Sequence, residues 1–227
     1  MAIILAYCQL HIKTLLKEKV TLIWSIMIPS LFLLLNVNLD SIHSIDDIRF
    51  FWVIIIFMTF VYGIGMHAIK LRNYSTLKTY FSIADTRVRF LLPCLITQLV
   101  TIIISFTVFN IIVCLIFPFS IVDVLHLSLK MLLLSIPFGF LSFSFVLLRK
   151  VKYETLSGIM GIITFILLFT MSFKLPLGLI HPLVYIANLI YIESFQQIVI
   201  YLLIALLCLL IGLFSARTFT AFSEERR

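Results

Sequence analysis

Six long apolar runs, near residues 20–39, 50–69, 90–117, 125–148, 155–173 and 197–216, leave this chain little freedom in what it folds into. At about 1.5 Å per helical residue, each is long enough to cross about 30 Å of hydrocarbon. No water reaches the backbone at that depth, so each run must satisfy its own amides and carbonyls as a helix. Composition agrees: 63% of the residues are hydrophobic, 12% are charged and mean hydropathy is +1.21, outside the range of soluble domains. The expectation is an all-α membrane protein with six transmembrane helices, forming one domain over 1–227.

Charge placement orients the helices. Of the 17 lysines and arginines, only Arg49, Lys130 and Lys174 fall on the side that carries the 40–49 and 174–196 connections. The other fourteen lie on the side of the N-terminus, the 70–89 loop, the 149–154 loop and the C-terminus. An excess of Lys and Arg marks the cytoplasmic side. The chain therefore reads as a multi-pass protein of the cell membrane with both termini cytoplasmic. The net charge of +7 then faces anionic lipid at the inner surface, and no nucleic-acid partner is needed to explain it. Cys94, Cys114 and Cys208 fall in spans and Cys8 lies in the cytoplasmic segment. That placement points to packing rather than disulfides or metal ligation.

Three segments outside the spans carry pattern. Over 1–19, Ile4, Leu5, Cys8, Ile12, Leu15 and Leu16 share one helical stripe opposite Gln9, Lys13 and Lys17, the pattern of a helix lying in the membrane interface. Over 70–89, Leu77, Tyr80, Phe81, Ala84 and Val88 recur at helical spacing among basic and polar residues. This predicts a short amphipathic helix that either lies on the membrane face or docks another protein. The 174–196 segment is too apolar for a solvated loop and is broken by Pro176, Gly178 and Pro182. Re-entrant or interfacial helices fit it best. Its His181 and Glu193 read as a surface-facing pair, and His67, near the inner end of span two, as an interfacial histidine.

Small and weakly polar residues form stripes along the later spans. Thr97, Gln98, Thr101 and Ser105 lie in span three. Ser128, Ser135, Gly139 and Ser142 share a face of span four, Ser157, Gly161 and Thr164 of span five, and Tyr201, Ala205, Cys208 and Gly212 of span six. In lipid such stripes mark close helix packing, because small residues let backbones approach. The alternative is a translocation path, for which Thr97, Gln98, Thr101 and Ser105 are the candidates.

Several chemistries lack their residues. There is no GxxxxGK[ST] loop for ATP and no HExxH, and Thr155-Leu156-Ser157-Gly158 lacks the first glycine of a GxSG motif, with no histidine in a later span to serve as its base, so the chain does not read as an enzyme and no metal or cofactor is expected on it. Every Asp and Glu lies outside the spans or at their ends, where none forms a mid-membrane site for a coupling ion. A transporter of this composition must draw its energy from another subunit.

Residues 72–87, RNYSTLKTYFSIADTR, are similar to a family pattern in which a charged residue precedes Gly-Thr-Leu-Lys and a short helix ends near Pro-x-x-Arg. Thr76, Leu77 and Lys78 match, Ser75 replaces the glycine, Arg87 lies near the expected arginine and Asp85 stands where proline is common. The usual acidic residue appears here as Arg72 or Asn73. With its six spans, interfacial N-terminal helix and outer re-entrant segment, nearly the whole chain resembles the ABC-2 type permeases, membrane subunits of ATP-binding-cassette exporters.

The resemblance implies that Thr76, Leu77, Lys78, Tyr80, Phe81, Ala84 and Arg87 belong to a coupling helix seated on a separate ATPase subunit. Leu77, Tyr80 and Phe81 would be the apolar anchor, and Lys70, Arg72 and Arg87 the orienting charges. Arg149, Lys150, Lys152 and Glu154 would make a second, smaller contact. It further implies that ATP and Mg bind the ATPase and not this chain. A second copy or a similar permease would pair through spans one and five near Pro29, Ser157 and Gly161. The compact size resembles permeases for antimicrobial or cytolytic peptides, in export or self-protection. A path without fixed charge suits amphipathic peptide or lipid-like cargo. Lipid-linked glycan or drug export, and a non-transport docking or sensor protein, are the alternatives.

Overall fold

The computed structural model describes residues 9, 11–13, 19–38, 42–74, 77, 87–148, 150–172 and 181–219. Among these the regular structure is entirely helical. Helix α1 spans Lys19–Asn38 and α2 spans Ile45–Phe60; α2 continues through a π-helical turn, Val61–Met66, into α3, His67–Asn73. Helices α4 (Arg87–Ile116), α5 (Ile121–Ser142, extended by a 3-10 turn over Phe143–Leu147) and α6 (Tyr153–Ser172) follow. A short α7, Pro182–Asn188, with its 3-10 end Leu189–Tyr191, precedes α8, Phe195–Thr218.

Five of these helical stretches are long and apolar enough to cross a membrane: Ile45–Asn73, Phe90–Ile116, Ile121–Leu147, Tyr153–Thr170 and Phe195–Thr218. They coincide with the second to sixth apolar runs; Phe90–Ile116 lies within its run, and each of the others extends beyond its run at one or both ends. The first run coincides with α1, whose described apolar part is Ile26–Leu35. Polar caps set the starts. Ser44 and Asp47 form a capping box at α2, the carboxylate accepting from the Ser44 amide at 3.0 Å. Ser194 and Gln197 do the same at α8. Both satisfy amides that the first helical turn leaves without partners.

The Ile45–Asn73 rod is the axis of the bundle. It packs against α1, α4, α5 and α7, and its apolar window is 72% buried against 22% for both α6 and α8. Trp52, Ile55, Ile56, Phe60 and Ile64 from the rod meet Ile102, Phe106 and Phe109 from α4 and Met131 from α5 in the main core. By contrast α6 and α8 expose Ile162, Phe165, Phe169, Leu202, Leu206 and Leu210. Such outward apolar surface is ordinary for lipid-facing helices, since helix association in lipid has little hydrophobic drive.

The π-helical turn is explained by its sequence, VYGIGM. A Cβ on Gly65 would overlap the Ser142 carbonyl oxygen, and one on Gly63 the Gln98 side chain. Two residues without side chains let the rod meet α4 and the end of α5 at near backbone distance, and the widened turn accommodates both neighbours. Single π turns of this kind are found preferentially at functional positions.

Candidate functional site

Polar side chains within the bundle gather at three levels along the rod. In the rod's Ile45 half, Trp52 donates its indole N–H to Asn110 Oδ1 at 2.8 Å, and Asn110 Nδ2 donates to Ser128 Oγ at 3.0 Å. The chain ends at the Leu125 carbonyl, which accepts from Ser128 Oγ at 3.0 Å. One line of bonds thus joins α2, α4 and α5 through buried side chains. Each donor has an acceptor, which removes the desolvation cost of burying it. Asn110 carries this network, yet it sits alone in an apolar run and nothing in the periodicity of α4 singles it out.

The candidate path residues pack closely around the same axis. Thr97, Gln98, Thr101 and Ser105 are all buried. Thr97 Oγ1 donates to the Pro93 carbonyl at 2.8 Å and Thr101 Oγ1 to the Thr97 carbonyl at 3.0 Å, while Gln98 lies over Gly63. The bonded hydroxyls are occupied by their own helix, an arrangement that fits packing. The span-four stripe of Ser128, Ser135, Gly139 and Ser142 is likewise buried. So are Ala205, Cys208 and Gly212 of α8, whose Tyr201 donates to the Leu134 carbonyl at 3.1 Å.

At the end that carries most of the basic residues, Arg72 differs from expectation. It does not stand among exposed charges that could orient a partner: it is 2% exposed. Its guanidinium donates to the Val146 carbonyl at 3.0 Å and the Leu148 carbonyl at 2.8 Å. These carbonyls belong to the C-terminal end of the α5 rod, where the helix leaves acceptors unfilled and the dipole favours a cation. Leu77 is also fully buried, in the same core cluster as Leu71, Phe143 and Val146. Its own side chain is therefore covered within the chain. Thr76, Lys78, Tyr80, Phe81, Ala84, the Arg87 side chain and Arg149 lie outside the described residues, as does most of the 1–19 segment. Lys150, Lys152 and Glu154 are exposed.

Beside Arg72's end of the rod, His11 lies buried against Cys94, its Nε2 3.4 Å from the thiol. The His67 and Phe90 rings stand edge-on to it at 5.5 and 5.3 Å. Burial first, and the facing His67 second, lower the His11 pKa to about 3, so the imidazole is neutral. Its neighbour Ile12 is exposed, as are Gln9 and Lys13.

The opposite end is held by a different set. Lys130 lies inside α5, and its Nζ donates to the Ile190 carbonyl at 2.6 Å. Tyr191 donates to the Asp46 carboxylate, and the Arg49 guanidinium carbon lies 4.8 Å from the Tyr191 ring and 4.9 Å from the Phe50 ring. His181 is buried and not surface-facing. Its Nδ1 accepts from the Val184 amide at 3.4 Å to cap α7, and Nε2 lies 3.0 Å from Thr170 Oγ1 and 3.2 Å from the Leu167 carbonyl. Only the tautomer protonated at Nε2 serves both sides. Glu193 is exposed. Leu183, Ala187, Leu189 and Ile190 are buried against the bundle, and the 174–180 part of this segment lies outside the described residues.

Of the proposed pairing residues, Pro29 is buried within the chain, Ser157 is half-buried and Gly161 is exposed with open space where a Cβ would go. Among the described residues, no group of three His, Cys, Asp or Glu is arranged to hold a metal ion. The arrangement defines an all-helical membrane protein whose polar bonds tie helices to one another. No protein-family model, curated protein or solved structure matches the chain.

Proposed function

We propose that this chain is the membrane-spanning permease subunit of an ATP-binding-cassette exporter, moving amphipathic peptide or lipid-like cargo outward. The observation that carries the reading is the 181–191 segment. It is apolar, helical and folded onto one end of the bundle by Lys130, His181 and Tyr191. A docking or sensor protein needs a basic loop but has no use for an apolar segment bonded across the far end of its helices. A transporter needs that end closed in one state and open in another.

In this reading α1 is the sixth span and the basic end is cytoplasmic. The 70–89 loop seats on the ATPase through Tyr80 and Phe81, with Lys150 and Lys152 as the lesser contact. ATP and Mg bind the partner, whose closure rocks two permease halves against each other. Mild-detergent purification of the tagged chain from its host, with partners identified by mass, tests it. A stoichiometric ATP-binding-cassette subunit is expected; its reproducible absence from intact, folded protein overturns the reading.

A further inference from the structure

A cleft of about 390 Å³ opens where α5 begins, walled by Ile45 at the start of α2, Phe119 of the α4–α5 connection, and Asp123, His126 and Leu127 of α5. That volume lies within the range of small-ligand clefts, about 300–1,000 Å³. Phe119 is fixed by stacking on Phe117, with ring centroids 5.3 Å apart. Asp123 and His126 are exposed. Among the described residues neither side chain has a hydrogen-bond or ion-pair partner.

Asp123, His126 and Lys130 stand at i, i+3 and i+7 on α5 and so share one flank of the helix. Lys130 lies about 10 Å deeper along the axis than Asp123. Of its three N–H donors one is used, by the Ile190 carbonyl at 2.6 Å. Among the described residues no carboxylate pairs with it. A lysine at that position on a membrane-crossing helix, held by one neutral oxygen, is costly unless an anion offsets its charge. The flank therefore presents an acid at the helix end and a base deeper in. On the adjoining face Val122, Leu125, Leu129 and Leu133 are exposed.

A zwitterionic phospholipid with a primary amine has the same order. At a membrane surface its ammonium is outermost, its phosphate lies deeper, and its acyl chains lie deeper still. We propose that this cleft binds a lipid headgroup of the phosphatidylethanolamine class. The ammonium donates to the Asp123 carboxylate against the Phe119 ring face, and His126 and Lys130 donate to the phosphate oxygens. The acyl chains run along Leu129 and Leu133. A primary ammonium offers three N–H donors to the carboxylate; a choline offers none, and a glycerol headgroup has no cation. The match rests on depth order alone, so it holds in whichever leaflet α5 begins and does not depend on the proposed function.

Native mass spectrometry of the full chain in mild detergent tests it, by titration with phosphatidylethanolamine, phosphatidylcholine and phosphatidylglycerol of identical acyl chains. The parent chain is expected to hold one phosphatidylethanolamine about tenfold more tightly than either other lipid. Asp123→Asn should erase that preference without weakening phosphatidylglycerol. Lys130→Gln should weaken all three lipids by about tenfold, because each presents a phosphate. Equal binding of the three lipids by the parent chain overturns the site, and so does a preference that survives Asp123→Asn. A uniform loss of all three lipids in Asp123→Asn overturns the assignment of the ammonium to that carboxylate. Asp123 is exposed, so its variant should fold, and its result decides the proposal even where Lys130→Gln releases α7 and unfolds. Failure to recover an ATPase partner would leave these outcomes untouched, so the two proposals fall separately.

Discussion

Two pairs of glycines show how one sequence signature serves two different surroundings. Gly63 and Gly65 lie in the rod, Gly158 and Gly161 in α6. A side chain on Gly65 would overlap the Ser142 carbonyl, and one on Gly63 would overlap Gln98, while a Cβ on Gly158 or Gly161 meets nothing within 4 Å. Both pairs belong to helices of similar apolar character. The difference is that, among the described residues, the rod has neighbours on most sides and α6 has few. Small residues report that a backbone can be approached; whether one approaches depends on a partner the local pattern does not name.

The largest effect should come from filling the rod's contact. Gly65→Ala forces apart two backbones, because the obstructing atom is a main-chain oxygen, and the cost should be about 3 kcal/mol. Denaturant unfolding in mixed micelles measures it. Parent-like stability would mean that the rod and α5 are not in contact at Ser142, and the contrast with α6 would vanish.

Next comes the network in the Ile45 half of the rod. Asn110→Leu keeps volume but leaves the Trp52 indole N–H buried without its acceptor, a loss of about 2 kcal/mol. Trp52→Phe in the same background removes the stranded donor and should recover about half of that loss. Equal stability of Asn110→Leu and the parent chain would show that the bond to Trp52 contributes nothing.

The positions of these groups mark where sequence reading stops. The apolar runs locate the five long helices because about 20 such residues have few other solutions in lipid. The stripes in α4, α5 and α8 were legible as packing faces for the same reason. The π turn was not, since it depends on Gln98 and Ser142 lying against two glycines that are distant from them in sequence. Arg72 was misread because a basic residue near a span end is ordinarily solvated, and only the open carbonyls of α5 make burial tolerable. Asn110 gave no signal at all: one polar residue among isoleucines and valines has no period. The burial of His181 has no local signal, because its partners lie on α7 and α6 together.

A smaller effect is expected from pH, at the point where His11 closes over the rod's His67 and Cys94. Its pKa falls from an ordinary value near 6.5 to about 3 on docking, through burial and then His67. A buried histidine held below its free value contributes stability above pH 6.5 that is lost progressively as pH falls toward 3. At about pH 5.5 docking should be weaker by about 1 kcal/mol than at about pH 7.5. A spin label at position 13 should gain mobility over that interval, and His11→Phe should abolish the dependence. Mobility independent of pH would place His11 elsewhere.

The smallest change in stability, and the sharpest test of the contrast, belongs to Gly161. With open space around it, Gly161→Ala should alter the isolated chain by less than about 1 kcal/mol, and toward stability, because alanine favours a helix over glycine. Association is a separate matter. If a second copy packs on α6, as the proposed permease pair requires, it supplies the neighbour that this chain lacks, and an added methyl meets its backbone. Dimer formation in vesicles, followed by energy transfer between labelled chains, should then weaken by about tenfold, a change of about 1.4 kcal/mol. Unchanged association would remove Gly161 from the interface and leave α6 facing lipid on that side. A fall in the stability of the isolated chain itself would break the comparison, because it would require a neighbour for α6 within the bundle.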